Sequence, residues 1–94
     1  MWAILEAKGV QKRLKKCPQE IRKEYEAWKK VVELTGPQAL SRISGYRDHA
    51  LKGEWAGARS SCLNIKWRVI YVVIQNLVQV RVLEVTPHDH RKKG

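Results

Sequence analysis

The first half of the chain carries an apolar stripe at helical spacing. Its members are separated by four, three and four residues, which places them along one side of an α-helix. Pro18 suits a first helical position, and Glu20 lies in the first turn, where a carboxylate is favoured. The pattern predicts a helix to about Leu34 whose aromatic side chains belong to the core and not to a cofactor site. The stripe is formed by Ile21, Tyr25, Trp28 and Val32.

Shorter elements flank this helix. Trp2–Glu6 is predicted to form a first strand, and Gly9–Lys16 is predicted to form a basic, weakly amphipathic helix. The run Thr35–Pro37 contains Gly and Pro, which end the long helix. A further helical turn is expected over Gln38–Ile43, before Ser44–Gly45.

The second half of the chain is rich in β-branched and aromatic residues, which favour strands. Turns are expected at Ile65–Lys66 and at Gln75–Asn76, where Asn tolerates a positive φ. Helices that precede an antiparallel meander are typical of an α+β fold, with the N-terminal helices packed on one face of the sheet. The predicted strands are Leu51–Gly53 (short or merely extended), Arg59–Asn64, Trp67–Ile74 and Val78–Thr86.

Alternation along the two long strands bears on function. Arg68 shares a strand face with Ile70, Val72 and Ile74, so its charge should lie at the rim of the sheet. In the last strand the apolar positions change parity after Val82. The change indicates either burial on both faces or a β-bulge near that residue.

Charge narrows the possible partners. The 94 residues make one small domain, and 44% of them are hydrophobic, which is a globular composition. Lys and Arg number 19 against 9 Asp and Glu, giving a net charge of +10. A field of this sign favours nucleic acid, an acidic protein or anionic lipid over a surface that is basic only for solubility.

The sequence also indicates a compartment. No stretch approaches the roughly 20 apolar residues of a membrane span, and Met1–Leu5 is too short for a signal peptide. Cys17 and Cys62 lack the spacing of a metal site, and Cys62 is expected to be a buried small hydrophobe in a strand. We therefore expect a reduced, cytoplasmic protein without membrane contacts.

Three groups of residues carry the side chains that RNA cleavage requires: Tyr46–His49 with Lys52, the pair Arg59 and Arg68, and the run His88–Arg91. In that reaction the ribose 2′-hydroxyl attacks the neighbouring phosphorus, and a second group protonates the departing 5′-oxygen. Imidazole can take either proton-transfer role near neutral pH, and guanidinium binds phosphate oxygens. We expect the three groups to converge on one RNA-cutting surface that needs no metal.

Each group also has a simpler interpretation. His49 could be an ordinary surface histidine, and Arg68 could pair with Glu84 across the sheet. The run His88–His90 could bind a metal, but adjacent residues in an extended tail rarely close a coordination site. Arg91–Lys93 could be a solvated tail that attracts phosphate only electrostatically.

Residues 45–92 resemble the RelE/ParE superfamily of bacterial toxin–antitoxin toxins, most closely its RelE-like and HigB-like members. The combination of motifs carries the resemblance, and no single motif does. The first 44 residues agree with the superfamily in architecture only. The matching motifs are Leu51–Gly53, Gly57, Arg59–Ser60, Leu63–Asn64, Arg68, Ile70–Tyr71, Leu83–Val85 and His88–Asp89.

The resemblance implies a small, twisted, antiparallel-rich sheet flanked by helices. It also implies a ribosome-dependent endoribonuclease that cuts mRNA in the A site without cofactor or metal, and that a cognate antitoxin neutralises. The free toxin is expected to be a monomer. The implied catalytic residues are His49, Arg68, His88, Asp89 and His90. The residues implied to bind RNA or its phosphates are Asp48, Lys52, Arg59, Lys66, Arg91 and Lys92.

Two assignments stay open within this resemblance. Asp48 is an alternative to His49 as the acid–base group of its loop. Many relatives have tyrosine where His90 stands, and imidazole can still stack on a base and transfer a proton. Which histidine is the acid and which is the base is not decided by the sequence.

Two other functions remain possible. The same superfamily includes toxins that poison DNA gyrase and do not cut RNA. A small basic RNA-binding module without activity would also fit the composition. The crowding of histidines and arginines in the second half favours the nuclease over both.

Overall fold

A computed structural model describes residues 1–87, and His88–Gly94 lie outside the described part. The elements follow the predicted order of strand, two helices and meander, with short 3-10 turns between the second helix and the last strands. The fold is α+β, as predicted. Its strands and α-helices are β1 (Ala3–Glu6), α1 (Val10–Lys15), α2 (Gln19–Thr35), β2 (His49–Ala50), β3 (Arg59–Cys62), β4 (Trp67–Ile74) and β5 (Gln79–Pro87).

The five strands form one mixed sheet in the order β1-β5-β4-β3-β2. Strands β2 to β5 are the predicted antiparallel meander. Strand β1 instead runs parallel to β5, with Ile4 opposite Val80. Because parallel neighbours need a crossover, α1 and α2 carry the chain from β1 back to the sheet. No helix within residues 1–87 is long and apolar enough to cross a membrane.

Helix α2 packs its apolar stripe against the sheet, which confirms the core interpretation. All four members of the stripe are fully buried. The Trp28 ring lies edge-on to the Tyr71 ring of β4 at 5.3 Å and stacks on Tyr25 at 5.9 Å. The Tyr25 hydroxyl donates a 2.6 Å hydrogen bond to Glu6 Oε2, which joins α2 to β1. Burial alone would raise the pKa of Glu6, but this bond and its other partners lower it.

The ends of α2 follow from two special residues. Pro18 caps the helix and does not occupy its first turn, so the sequence prediction was wrong by one residue. At the other end Gly36 adopts φ 87°, and a Cβ there would lie 2.9 Å from Trp2 Nε1. Only glycine fits this close approach without strain.

The parity change in β5 comes from a β-bulge. Ile70 pairs with Glu84 and Tyr71 pairs with Val82, so Leu83 is the extra residue. The extra residue shifts the alternation by one position, so the buried position that follows Val82 is Val85. The bulge is one of the two explanations that the sequence alternation had left open.

Smaller differences concern the connections. The second strand of the sheet is His49–Ala50 and not Leu51–Gly53, although Lys52 is extended. The turn before β4 forms as predicted, because Asn64 Oδ1 accepts hydrogen bonds from the backbone N–H groups of Lys66 and Trp67, at 2.8 and 2.7 Å. Val78, and not Asn76, takes the positive φ. Cys62 is half-buried, so the prediction that it is buried was wrong.

Candidate functional site

Strand pairing puts the two predicted arginines on opposite faces of the sheet. Arg59 lies opposite Tyr71, and Cys62 lies opposite Arg68. Arg68 and Tyr71 are three residues apart on one strand, and side chains alternate between faces, so Arg59 shares the helix-covered face with Tyr71. The expectation that both guanidiniums converge on one phosphate from neighbouring strands was therefore wrong.

Arg59 is held by Asp48, whose side chain is only 1% exposed. Its Nε and Nη2 atoms each lie 2.7 Å from Asp48 Oδ1. Ser61 Oγ donates to Oδ2 at 2.6 Å, and the Tyr71 hydroxyl donates to the same oxygen. Both oxygens of Asp48 are therefore occupied by side chains of the protein, and the predicted contact between Asp48 and RNA stays a prediction.

Two partners of Asp48, Tyr71 and Arg59, have raised pKa values. Burial raises the pKa of Tyr71, and its hydrogen bond to Asp48 raises it further. Burial would lower the pKa of Arg59, but the hydrogen bond and charge of Asp48 raise it. Tyr71 therefore stays a donor and Arg59 stays charged, which suits a structural clamp better than a proton-transfer chain.

The opposite face of the sheet, which we call the distal face, carries the other predicted residues. Pairing aligns His49 with Ser60, Ser60 with Ile70, and Arg68 with both Cys62 and Thr86. The distal face thus includes His49, Ser60, Cys62, Arg68, Ile70, Glu84 and Thr86.

His49 is exposed and its imidazole is oriented by the backbone. Its Nδ1 lies 2.8 Å from the carbonyl oxygen of Arg47, which itself adopts φ 46°. A carbonyl can only accept, so Nδ1 carries the proton and donates it to this bond. The neutral ring therefore keeps its lone pair on Nε2, the tautomer that a general base needs.

Arg68 has an unsatisfied donor on the distal face. Its Nε is buried without a hydrogen-bond partner among residues 1–87. The alternative pairing with Glu84 is absent from these residues, because Glu84 lies opposite Ile70 and no ion pair joins it to Arg68. A buried N–H without an acceptor is costly, and an oxygen of a bound phosphate would satisfy it.

The strand register sets the separation of His49 and Arg68 on the distal face. They are two strands apart and offset by two residues along β3. Strand spacing and rise per residue then put their Cα atoms about 12 Å apart.

The remaining predicted residues are placed as follows. Lys52 is exposed just after β2, and Lys66 is exposed in the turn before β4. His88, Asp89, His90, Arg91 and Lys92 lie outside the described residues. Within the described residues, β5 extends to Pro87, which lies opposite Trp67 and next to the pair formed by Arg68 and Thr86.

Sequence reasoning missed two groups of polar residues. Ser61 and Tyr71 hold Asp48 on the helix-covered face, and the alternation of β3 and β4 could have grouped them with Arg59. Ser60 is fully buried on the distal face, and its Oγ has no partner among the described residues. No three His, Cys, Asp or Glu side chains within residues 1–87 are grouped to hold a metal.

This architecture is similar to that of known proteins with solved structures. No family model matches the sequence, and no curated protein matches it. Solved structures do match: the archaeal RelE of the RelE–RelB complex from Pyrococcus horikoshii OT3 superposes with a TM-score of 0.76, covering 95% of this chain and 97% of that one at 20% identity. The chain has a RelE-like fold. YafQ from E. coli BL21(DE3) superposes at 0.74, covering 94% of each chain at 18% identity.

A third solved structure has the same RelE-like fold. A chain of the YoeB–YefM complex from Staphylococcus aureus superposes at 0.69, covering 95% of this chain and 99% of that chain at 15% identity. These toxins share the RelE-like fold along nearly their whole length. At such identities the likeness concerns the fold, so the chemistry must be argued from the side chains of this chain.

Proposed function

We propose that this protein is a ribosome-dependent endoribonuclease, the toxin of a type II toxin–antitoxin system, which cleaves mRNA in the ribosomal A site. The observation that carries the proposal is the distal face. There an exposed imidazole with a free Nε2 and an arginine with an unsatisfied buried Nε lie on the same face of the sheet, with their Cα atoms about 12 Å apart. The RelE-like fold supports the same class of protein.

The proposed chemistry uses the 2′-hydroxyl of the RNA as nucleophile. His49 Nε2 takes the proton from this hydroxyl while Arg68 binds the phosphate oxygens and stabilises the phosphorane. A protonated imidazole of the C-terminal run, His88 or His90, protonates the departing 5′-oxygen, with Asp89 as its partner. The products are a 2′,3′-cyclic phosphate and a 5′-hydroxyl. We propose that this route needs no metal, because imidazole and guanidinium supply each required function.

The charge of the protein fits a ribosomal target. A net charge of +10 on 94 residues attracts the phosphate backbone of RNA and accelerates association at low salt. Lys52, Lys66, Arg91 and Lys92 stay candidates for phosphate contacts. Arg59 is weaker in this role, because Asp48 already occupies its guanidinium. We propose a cytoplasmic, monomeric toxin.

A cognate antitoxin is the second proposed partner. The solved relatives include complexes of RelE with RelB, YoeB with YefM, and DinJ with YafQ. This chain offers an apolar cleft of about 390 Å³ between α2 and the 3-10 turn that follows. Leu34 is 69% exposed and Ile43 is 43% exposed at this cleft. We call it the α2 groove; it is lined by Lys30, Val31, Leu34, Thr35, Ala39, Arg42 and Ile43.

The α2 groove fits an acidic amphipathic helix. Both charged side chains at its wall, Lys30 and Arg42, are cations, and the surface between them is apolar. A helix with an apolar stripe bordered by carboxylates would cover Leu34 and Ile43 and pair with the two cations. An antitoxin segment of this kind would also offset part of the net positive charge.

The proposal is tested by inducing the protein in a bacterial host and mapping mRNA 5′ ends. We expect new 5′-hydroxyl ends inside translated codons, in register with the reading frame, and none in cells that express Arg68→Ala. Intact mRNA with cleaved chromosomal DNA would instead indicate a gyrase poison. Normal growth with RNA binding retained would indicate a module without catalysis. Either of these outcomes contradicts the proposed nuclease.

A further inference from the structure

Helix α1 carries a dense group of cations that the proposed cleavage chemistry does not use. Val10 and Leu14 anchor the helix in the core, so its remaining side chains point outward. No acidic residue occurs from Ala7 to Gln19. The cations of this segment, all exposed, are Lys8, Lys12, Arg13, Lys15 and Lys16.

Three of these cations border a cleft of about 300 Å³ beside the start of β4. The half-buried indole of Trp67 forms its other wall. Within residues 1–87 none of the three cations has an ion-pair partner. Gly9 lies at the mouth, where a Cβ would meet nothing within 4 Å, so the entrance is open. We call this the α1 cleft; it is lined by Gly9, Lys12, Arg13, Lys16 and Trp67.

We propose that the α1 cleft is a second RNA-binding site, which holds the phosphate backbone of a single strand with one base stacked on Trp67. This inference rests on the proposed function for its choice of RNA as the natural polyanion. Cations alone would equally suit an acidic peptide. The indole of Trp67 favours RNA over an acidic peptide, because every base offers a flat face that can stack on the indole and a carboxylate does not.

The position of the cleft connects it to the distal face. Trp67 and Arg68 are consecutive residues at the start of β4, so their side chains point to opposite faces at the same end of the sheet. Lys66 is exposed in the adjoining turn. A strand held in the α1 cleft can therefore pass around this end of the sheet and deliver the following phosphate to Arg68. The two sites would share one RNA and fix its direction.

The salt dependence of RNA binding tests the proposal. Affinity for a short single-stranded RNA would be measured by fluorescence anisotropy over a range of salt concentrations. In a triple variant, Lys12→Gln with Arg13→Gln and Lys16→Gln, three phosphate contacts are lost. The slope of log affinity against log salt should become shallower by about 2, because each contact on a single strand contributes about 0.7.

Matched controls make the test specific. The variant Lys8→Gln with Lys15→Gln and Lys23→Gln removes the same net charge from exposed positions that do not line the cleft. It should leave the slope nearly at that of the parent. Trp67→Leu should weaken binding about 5- to 100-fold, and Trp67→Tyr, which can still stack and packs similarly, should restore most of the affinity.

Three results would overturn the inference. Equal slopes for the two triple variants would show that only total charge matters. Unchanged affinity in a folded Trp67→Leu variant would exclude stacking. Poly-glutamate that competes as well as RNA for the parent, and loses its affinity in the Lys12 triple variant, would assign the cleft to an acidic protein.

The proposed function is tested by a separate measurement. If the parent protein does not cleave mRNA in frame, the proposed nuclease activity is contradicted. If the parent does not cleave and the slopes differ as expected, the α1 cleft binds RNA and only the nuclease is excluded. If the parent cleaves and the slopes agree, only the α1 cleft is excluded.

Discussion

At the scale of single residues, function depends on which face of the sheet a side chain occupies. Arg59 and Arg68 have the same chemistry and lie on neighbouring strands, yet one is paired with a buried carboxylate and the other keeps a free donor. Guanidinium can stabilise a phosphorane only if phosphate can replace its existing partners. The structure therefore ranks Arg68 above Arg59 as the phosphate ligand.

Substitutions on the distal face test this ranking. Arg68→Ala should lower the rate of mRNA cleavage on ribosomes about 10²- to 10³-fold, because a preorganised charge stabiliser is lost. His49→Ala should lower it about 10²- to 10⁴-fold through loss of a proton-transfer group. Both rates are measured by primer extension on stalled ribosomes, with circular dichroism to check that the variants are folded.

Arg42→Ala is the matched control, because Arg42 is an exposed arginine at the α2 groove and not on the distal face. It should cleave at close to the rate of the parent. If Arg68→Ala cleaved as fast as this control, the gap between His49 and Arg68 would not be the site of reaction. A His49→Ala variant with the parental rate would remove that histidine from the mechanism.

At the scale of elements, the Asp48 network joins the short strand β2 to the rest of the sheet. Strand β2 has only two residues and two backbone pairings, to Ser60 and Arg59. Asp48 immediately precedes it and is bonded to side chains of β3 and β4. Because His49 follows Asp48 directly, the same bonds fix the place from which the imidazole projects.

Removal of the Asp48 charge should therefore destabilise the protein and also slow cleavage. We expect Asp48→Asn to lower the free energy of unfolding by about 1–3 kcal/mol, since it leaves Arg59 without its counter-ion and disturbs three hydrogen bonds. Tyr71→Phe, which removes one of these bonds, should cost about 1 kcal/mol. Urea denaturation measures both free energies.

The double variant separates a network from a set of independent bonds. If the three bonds cooperate, the combined loss in Asp48→Asn with Tyr71→Phe should be smaller than the sum of the single losses. Strict additivity would contradict the coupling. An Asp48→Asn protein as stable as the parent would contradict the clamp altogether.

Prediction from sequence succeeded where the structure depends on local patterns. The four-residue stripe of α2, the order of the elements and the bounds of β4 all follow from periodicity and turn residues. The parallel pairing of β1 with β5 does not follow from local patterns, because Ile4 and Val80 are 76 positions apart in sequence and no local signal connects them. Both helices and the strands β2, β3 and β4 lie between them in the chain.

The site shows the same division. Alternation along β4 was enough to place Arg68 on one face of the sheet. The register between β3 and β4 was needed to show that Arg59 lies on the opposite face. The burial of Asp48 was likewise hidden, because its three partners come from two strands that lie 11 to 23 positions later. The predicted roles of His88, Asp89 and His90 stay predictions, since these residues lie outside the described part.

At the scale of the whole molecule, the proposed binding surfaces are separate. The distal face and the α1 cleft meet at the end of the sheet where β4 begins, whereas the α2 groove lies at the end of α2. RNA and antitoxin would therefore use different parts of the protein. Neutralisation through the α2 groove should then be separable from cleavage by mutation.

Leu34→Glu tests this separation. The substituted side chain is 69% exposed, so folding should be little affected, but a carboxylate would repel an acidic helix and remove an apolar contact. Co-expression with the protein encoded by the adjacent reading frame should rescue growth from the parent but not from Leu34→Glu, with complex affinity reduced tenfold or more. Pull-down and titration calorimetry measure that affinity. Cleavage of mRNA by Leu34→Glu alone should equal that of the parent.

Ile65→Glu provides the control for added negative charge. Ile65 is 93% exposed in the turn before β4, away from the α2 groove, so rescue by the co-expressed protein should persist there. Loss of rescue in both variants would mean that the partner senses overall charge and not this cleft. Full rescue of Leu34→Glu would move the protein partner to another surface. It would leave Leu34 and Ile43 exposed without a function, a costly state for a chain with so small a core.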